Sequence, residues 1–127
     1  MNLVDSSCWL EYFADSPGAE RYYRAVKDTS NLLVPSITIY EVHKRALQTR
    51  GQQVAFADTA YMHQGLVVDL DAEIAVASAV ISHELKLPLA DSVILATARM
   101  FDAILWTQDE HFKGMDGVKY FEKSKAR

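Results

Sequence analysis

Brief apolar runs alternate with segments of helical period along this chain, and that alternation constrains the fold more than any single residue does. Met1 to Val4 reads as a strand ending at Asp5, after which Trp9, Leu10 and Phe13 recur at helical spacing. Ser16-Pro17 marks a second helix, with Ser as N-cap and Pro at the first helical position; Ala19, Tyr22, Tyr23 and Val26 form its apolar face. Leu32 to Val34 is a strand closed by Pro35. Ser36 then caps a third helix that runs through Ile39, Val42 and Ala46 and stops near Gly51. A fourth helix is expected over about Gln52 to His63, a strand over Leu66 to Leu70, and a fifth helix after Asp71 through Ile74, Ser78, Ile81 and Leu85. Leu89 to Phe101 is apolar nearly all round and reads as a buried sixth helix. Ala103 to Trp106 and Val118 to Phe121 are the last strands, separated by a helical turn at Asp109 to Phe112. Strands alternating with helices need crossover connections. The expected fold is therefore α/β, a three-layer sandwich with a mostly parallel central sheet flanked by helices.

With 127 residues and no linker or repeat, residues 1–127 are expected to form a single domain. Half the residues are hydrophobic and 24% are charged, enough apolar surface for a core that needs no staples. Cys8 is the only cysteine, which excludes an intramolecular disulfide and a thiolate zinc cluster within one chain. Asp5 and Glu11 interrupt any leader-like apolar run, and no stretch reaches the ~18 apolar residues of a membrane span. The expectation is a cytoplasmic protein. A net charge of −4 argues against a general nucleic-acid binder with a basic face, and fits a clustered carboxylate site whose charge is offset when cations bind.

The positions of the acids sharpen that point. Ligands of open parallel sheets bind outside the carboxyl ends of the strands. Asp5 stands at the end of the first strand, and Asp109 comes just after the strand Ala103–Trp106. Asp91 lies in the first turn of the sixth helix, and Glu41 interrupts the apolar block Ile37–Val42 of the third. Taken singly, an Asp opening a helix is a cap or a charge favourable to the macrodipole, and Glu41 is a solvated helix residue. Asp5 resists such a reading, because a carboxylate beside a central strand is seldom buried without a partner. If the four converge, repulsion raises their pKa values unless a cation neutralises them. Oxygen-only ligation selects hard ions, so Mg²⁺ or Mn²⁺ is expected, and phosphodiester hydrolysis by activated water is the chemistry such a site suits.

Four segments then resemble one family: Val4-Asp5-Ser6-Ser7-Cys8-Trp9-Leu10, Ile39-Tyr40-Glu41-Val42, Leu89-Ala90-Asp91-Ser92-Val93-Ile94-Leu95-Ala96-Thr97-Ala98, and Trp106-Thr107-Gln108-Asp109-Glu110-His111-Phe112. In kind, order and separation they resemble the PIN-domain ribonucleases, especially the VapC-like toxins of type II toxin–antitoxin pairs. The resemblance covers essentially the whole chain. It implies a catalytic pocket of Asp5, Glu41, Asp91 and Asp109, with Asp5, Asp91 and Asp109 as metal ligands and Ser6 and Thr107 as supporting polar residues. It further implies an RNA substrate, a cognate antitoxin and a homodimer. At the fourth acid, Glu110 or Asp116 can share or replace the role given to Asp109, and one or two metals can bind.

Among the remaining residues, His43, His63, His83 and His111 have no metal-ligand spacing, and only His111, two positions after Asp109, stands near the acids. Lys44 and Arg45, about one turn from Glu41, are the candidate RNA-phosphate contacts; further basic residues are Arg21, Arg24 and Lys27, and Lys123, Lys125 and Arg127 at the tail. Tyr12 and Tyr23 lie off the main apolar stripes and are candidates to line a groove for a partner helix. Cys8 is expected to pack as a small hydrophobe. One rival class is a receiver-type phosphoacceptor, but its acidic pair after the first strand is replaced here by Ser6 and Ser7 after Asp5, and no Lys is suitably placed. Another is a PIN-like module that binds RNA or protein without cutting.

Overall fold

Five short strands pair in the order β3-β2-β1-β4-β5, every neighbouring pair parallel, in a computed structural model that describes residues 1–124. They are β1 (Asn2–Val4), β2 (Leu32–Pro35), β3 (Leu66–Val68), β4 (Ile104–Thr107) and β5 (Val118–Tyr120). Six helices connect them: α1 (Ser6–Ala14), α2 (Tyr23–Lys27), α3 (Ser36–Thr49), α4 (Gln52–Met62), α5 (Ala72–Leu85) and α6 (Leu89–Met100). Lys125 and Arg127 of the basic tail lie outside the described residues.

The alternation of side chains along each strand builds two cores. Leu3, Leu33 and Leu105 point to one face, where Ile81 of α5 and Ile94, Leu95 and Ala98 of α6 cover them with Phe112. Val4, Leu32, Val34 and Trp106 point to the other, against Cys8 and Trp9 of α1, Val26 of α2, Val42 of α3 and Met62 of α4. These strands are apolar on both faces because both faces are covered, as the three-layer expectation requires. The sixth helix is buried from Ser92 through Ala98, in keeping with its sequence. No helix among the described residues is long and apolar enough to cross a membrane.

Three local expectations need correction. The segment after Ser16-Pro17 does not open as an α-helix: Ala19–Tyr22 is a 3₁₀ turn that passes into the five-residue α2. Its N-cap is Gly18; the Ser16 carbonyl accepts from Ala19 N at 2.9 Å in the turn leading into it, while the Ser16 hydroxyl stays inside without a partner among the described residues. Ser36 is the first residue of α3 and not its cap; the N-cap is Pro35, whose carbonyl accepts from Thr38 Oγ1 at 2.7 Å. The strand begun at Leu66 ends at Val68, short of Leu70. Gly65, just before it, leaves room for the neighbouring strand, since a Cβ there would sit 2.8 Å from both Leu32 O and Val34 Cγ2.

Candidate active site

The edge formed by the carboxyl ends of β1 and β4 begins with Asp5. Its amide donates to Trp106 O at 2.9 Å, which carries the β1–β4 pairing one residue beyond the strand. The backbone there is extended and the side chain caps α1, with Oδ1 accepting from Ser6 N at 2.8 Å. Oδ2 accepts from Thr107 Oγ1 at 2.7 Å, and that hydroxyl accepts in turn from Asp109 N at 2.9 Å. Thr107 thus ties the ends of both strands to the start of the next turn. Asp5 is only 4% exposed, and its carboxyl is pushed up to about 6. Burial is the main cause; the charges of Glu41 and Asp91 add to it, while Thr107 and the Ser6 amide oppose it.

The other acids come from three further elements. Asp91, in the first turn of α6, faces His111, whose Nδ1 lies 2.8 Å from Asp91 Oδ2 and 3.3 Å from Asp109 Oδ1. Asp109 caps a 3₁₀ turn, Glu110–Phe112, by accepting from His111 N at 2.9 Å. Phe112, fully buried, anchors that turn in the core. Glu41, on α3, is half-buried, and its Oε1 is sequestered without any hydrogen-bond partner among the described residues. Partial burial, with the charges of Asp91 and Asp109, holds Glu41 above its ordinary pKa against the opposing influence of Ser6. Burial likewise raises Asp91, opposed by its bond to His111 and reinforced by Asp109. His111 is raised by its bond to Asp91 and by the charge of Asp109.

Asp5, Ser6, Glu41, Asp91 and Asp109 all line one cleft of about 590 Å³, and Thr107 lies directly beneath Asp5. The capping reading holds locally for Asp109 and not for Asp91, whose helix has Pro88 as N-cap; Asp5, for which that reading was resisted, also caps its helix, and the same geometry aims Asp5 and Asp109 into the cluster. Glu110 also lines the cleft; Asp116 does not, being exposed in the turn before β5. Lys44 and Arg45 are exposed on α3 and do not line it either: at i+3 and i+4 they lie near the Glu41 side of the helix but one turn farther along it, past the residues that line the cleft. His111, singled out in the sequence by its spacing from Asp109, does line the cleft; Lys123, noted only as a basic tail residue, and Tyr120, which sequence reasoning passed over, also reach it from beyond β4. Burial pushes the Cys8 thiol up to about 12, so it packs as an inert side chain.

The donor set suits a divalent cation. One ligand atom each from Asp91, Asp109 and His111 lies within 4.8 Å of the others, and the unpartnered Glu41 Oε1 is a lone pair left for a cation to satisfy. The rest of the cluster is carboxylate, with Asp5 fixed by Thr107 and Ser6.

No curated protein sequence matches the chain. Solved structures of the same fold do. A toxin–antitoxin complex from Klebsiella pneumoniae aligns with a TM-score of 0.83 at 24% identity, over 97% of this chain and 100% of that one. VapC20 of Mycobacterium tuberculosis, described as a sarcin-ricin loop cleaving toxin, aligns at 0.75 and 17% identity over 91% and 95% of the two chains. DNA-bound VapBC of Salmonella typhimurium aligns at 0.73 and 18% identity over 96% and 98%. At such identities the likeness is one of fold. The family profile described as PIN domain, however, matches residues 3–118, nearly the whole length, and this chain belongs to the PIN-domain family.

Proposed function

We propose that this protein is a metal-dependent endoribonuclease acting as the toxin of a type II toxin–antitoxin pair. The observation that carries the reading is the meeting of Asp5, Glu41, Asp91 and Asp109, from four separate elements, in one cleft at the carboxyl edge of the sheet. Asp5, Asp91 and Asp109 would hold Mg²⁺ or Mn²⁺, and an added imidazole from His111 favours the softer Mn²⁺. Bound there, the cation supplies Lewis-acid chemistry, lowering the pKa of water and offsetting charge on phosphoryl oxygens. The chain's own part is to orient and to handle protons. Thr107 Oγ1 and the Ser6 amide fix the Asp5 carboxylate, and Glu41, kept above its ordinary pKa, is the residue suited to accept a proton from an attacking water.

Features of the surface support the partner readings. A groove of about 380 Å³ between α1, α2 and α4, lined by Tyr12, Phe13, Tyr23 and Tyr61 with Lys27 and Asp58 at its margins, suits an amphipathic antitoxin segment. Tyr12 is half-buried and Tyr23 38% exposed, so both remain free to take part. Val76 and Val80 on α5 and Leu89 opening α6 are exposed apolar side chains suited to a homodimer contact. Lys44 and Arg45 on α3 offer RNA-phosphate contacts outside the cleft.

The test is cleavage of end-labelled total RNA by antitoxin-free protein with Mg²⁺, with Mn²⁺ and with chelator, beside Asp5→Asn prepared identically. Discrete cuts that need metal and vanish in the variant are expected. RNA binding without metal-stimulated cutting would replace the enzyme by a binding module.

A further inference from the structure

We propose that the segment following β5 is the phosphate-contacting wall of the cleft, with Lys123 as the contact and Arg21 as the residue that positions it; this rests on the ribonuclease reading above. The cleft is lined by six acids, Asp5, Glu41, Asp91, Asp109, Glu110 and Glu122, and among its described lining residues Lys123 is the one Lys or Arg. A polyanion entering such a cleft needs a cation on its wall as well as any metal at its floor. Lys123 is therefore the residue whose position matters most for capturing RNA.

That position is built. Phe121 N donates to Thr107 O at 2.8 Å, and the Phe121 ring stacks on Trp106 with centroids 5.6 Å apart. Beyond it Arg21 Nη1 donates to Glu122 O at 2.7 Å, and Ser124 Oγ donates to Glu11 Oε2 at 2.6 Å. Arg21 Nη2 and Glu11 Oε1 close the clamp at 2.6 Å. Lys123 is thus held on both sides, through the carbonyl before it and the hydroxyl after it. The acid beside it is countered, since Lys113 Nζ lies 3.5 Å from Glu122 Oε1.

Gly18 points independently to the clamp. Its φ of −90° suits any residue, so no turn demands glycine there. A Cβ, however, would strike Glu11 Oε1 and stand 2.6 Å from Arg21 Nη2, while Arg21 Nε folds back to donate to Gly18 O at 3.1 Å. The missing side chain leaves space for the ion pair. Such a pair near the surface adds little stability, so its main consequence is geometric.

The test uses the intact protein and a short fluorescein-labelled single-stranded RNA of mixed sequence. Anisotropy in chelator over a range of KCl gives affinity and salt slope, and cleavage in Mg²⁺ gives KM and kcat. Lys123→Gln should weaken binding roughly fivefold at low salt and reduce the slope of log K against log salt by about 0.7, one single-strand phosphate contact. Arg21→Gln should reproduce part of that loss with Lys123 intact, raise KM more than it lowers kcat, and add nothing in the double variant. Gly18→Ala, which displaces only side-chain ends, should act in the same direction. Arg99→Gln, at the far end of α6, should change none of these. An unchanged slope in Lys123→Gln overturns the proposal, as does an Arg21→Gln that lowers Tm without touching the slope. Wild-type protein that binds RNA but never cuts it refutes the ribonuclease reading alone, and the slopes still decide the wall. Wild-type protein that neither binds RNA in chelator nor cuts it in Mg²⁺ overturns both.

Discussion

Asp5→Asn should make the metal-free protein more stable near neutral pH while abolishing metal-dependent chemistry. The buried carboxyl is raised from its ordinary 3.8 to about 6. A raised folded-state pKa means that the folded protein favours the protonated acid. That contribution is complete below the unfolded pKa and is lost as pH rises through the folded one, so above about pH 6 the ionised Asp5 costs about 3 kcal/mol. Asn removes the charge, but one bond suffers. Its carbonyl can keep the Ser6 amide at the Oδ1 position, which turns the NH₂ toward Thr107 Oγ1, now obliged to accept from it as well as from Asp109 N. Charging about 1 kcal/mol for the lost Thr107 donation leaves a net gain of about 2 kcal/mol. For 127 residues that is roughly 6–10 °C in Tm. The assay is thermal unfolding of both proteins in chelator from about pH 4 to pH 8. The advantage of the variant should grow from pH 4 upward and level off above 6, and Mg²⁺ or Mn²⁺ at neutral pH should stabilise the wild type alone. An advantage that is absent, or that does not vary with pH, would refute the reasoning that Asp5 is held ionised against its burial.

Thr107→Val removes the donor to Asp5 at nearly constant volume, and should raise the metal concentration for half-maximal cleavage by about 10- to 100-fold, read by titrating Mn²⁺ against RNA cutting. His111→Ala should raise the same midpoint by about tenfold while costing less in rate at saturating metal, because its ring bridges Asp91 and Asp109 without being buried. Phe112→Ala should cost about 3–5 kcal/mol in urea unfolding and lower cleavage beyond the fraction unfolded, since Phe112 anchors the turn that presents Asp109 and His111.

Most of the architecture was legible because its signals are local. Strands buried on both faces read as unbroken apolar runs, and the sixth helix reads as apolar all round because it is enclosed. The helix starts at Ser16 and Ser36 were misread for a common reason: both residues have capping chemistry, but neither hydroxyl is used for it, since the turn at Ala19 has Gly18 as its N-cap and α3 opens at Ser36 itself after Pro35. The acids were legible as a set because each stands at an element end or breaks an apolar face. What the sequence did not disclose is which basic residues accompany them. Lys44 is one turn from Glu41 and near its side of the helix, but that turn carries it about 5 Å along the axis, past the residues that line the cleft. Lys123, remote in sequence from every acid but its neighbour Glu122, reaches the cleft because β5 lies beside β4 at the sheet edge.

The same construction explains why the site and its wall are separable. The floor is held by charge-assisted bonds among strand ends, with Asp5 on Thr107 and Ser6, and its carboxylates repel one another until a cation arrives. The wall is held by Arg21 and Glu11, whose charges already cancel and need no cation. Chelation should therefore loosen the floor and leave the wall in place. In hydrogen exchange, removing metal should speed the amides of Ser6, Asp109 and His111, which donate to cluster oxygens, and leave the Phe121 amide on Thr107 O unchanged. If Phe121 exchanges as fast as His111 once metal is gone, the wall depends on the floor, and the separability argued from these charges is wrong.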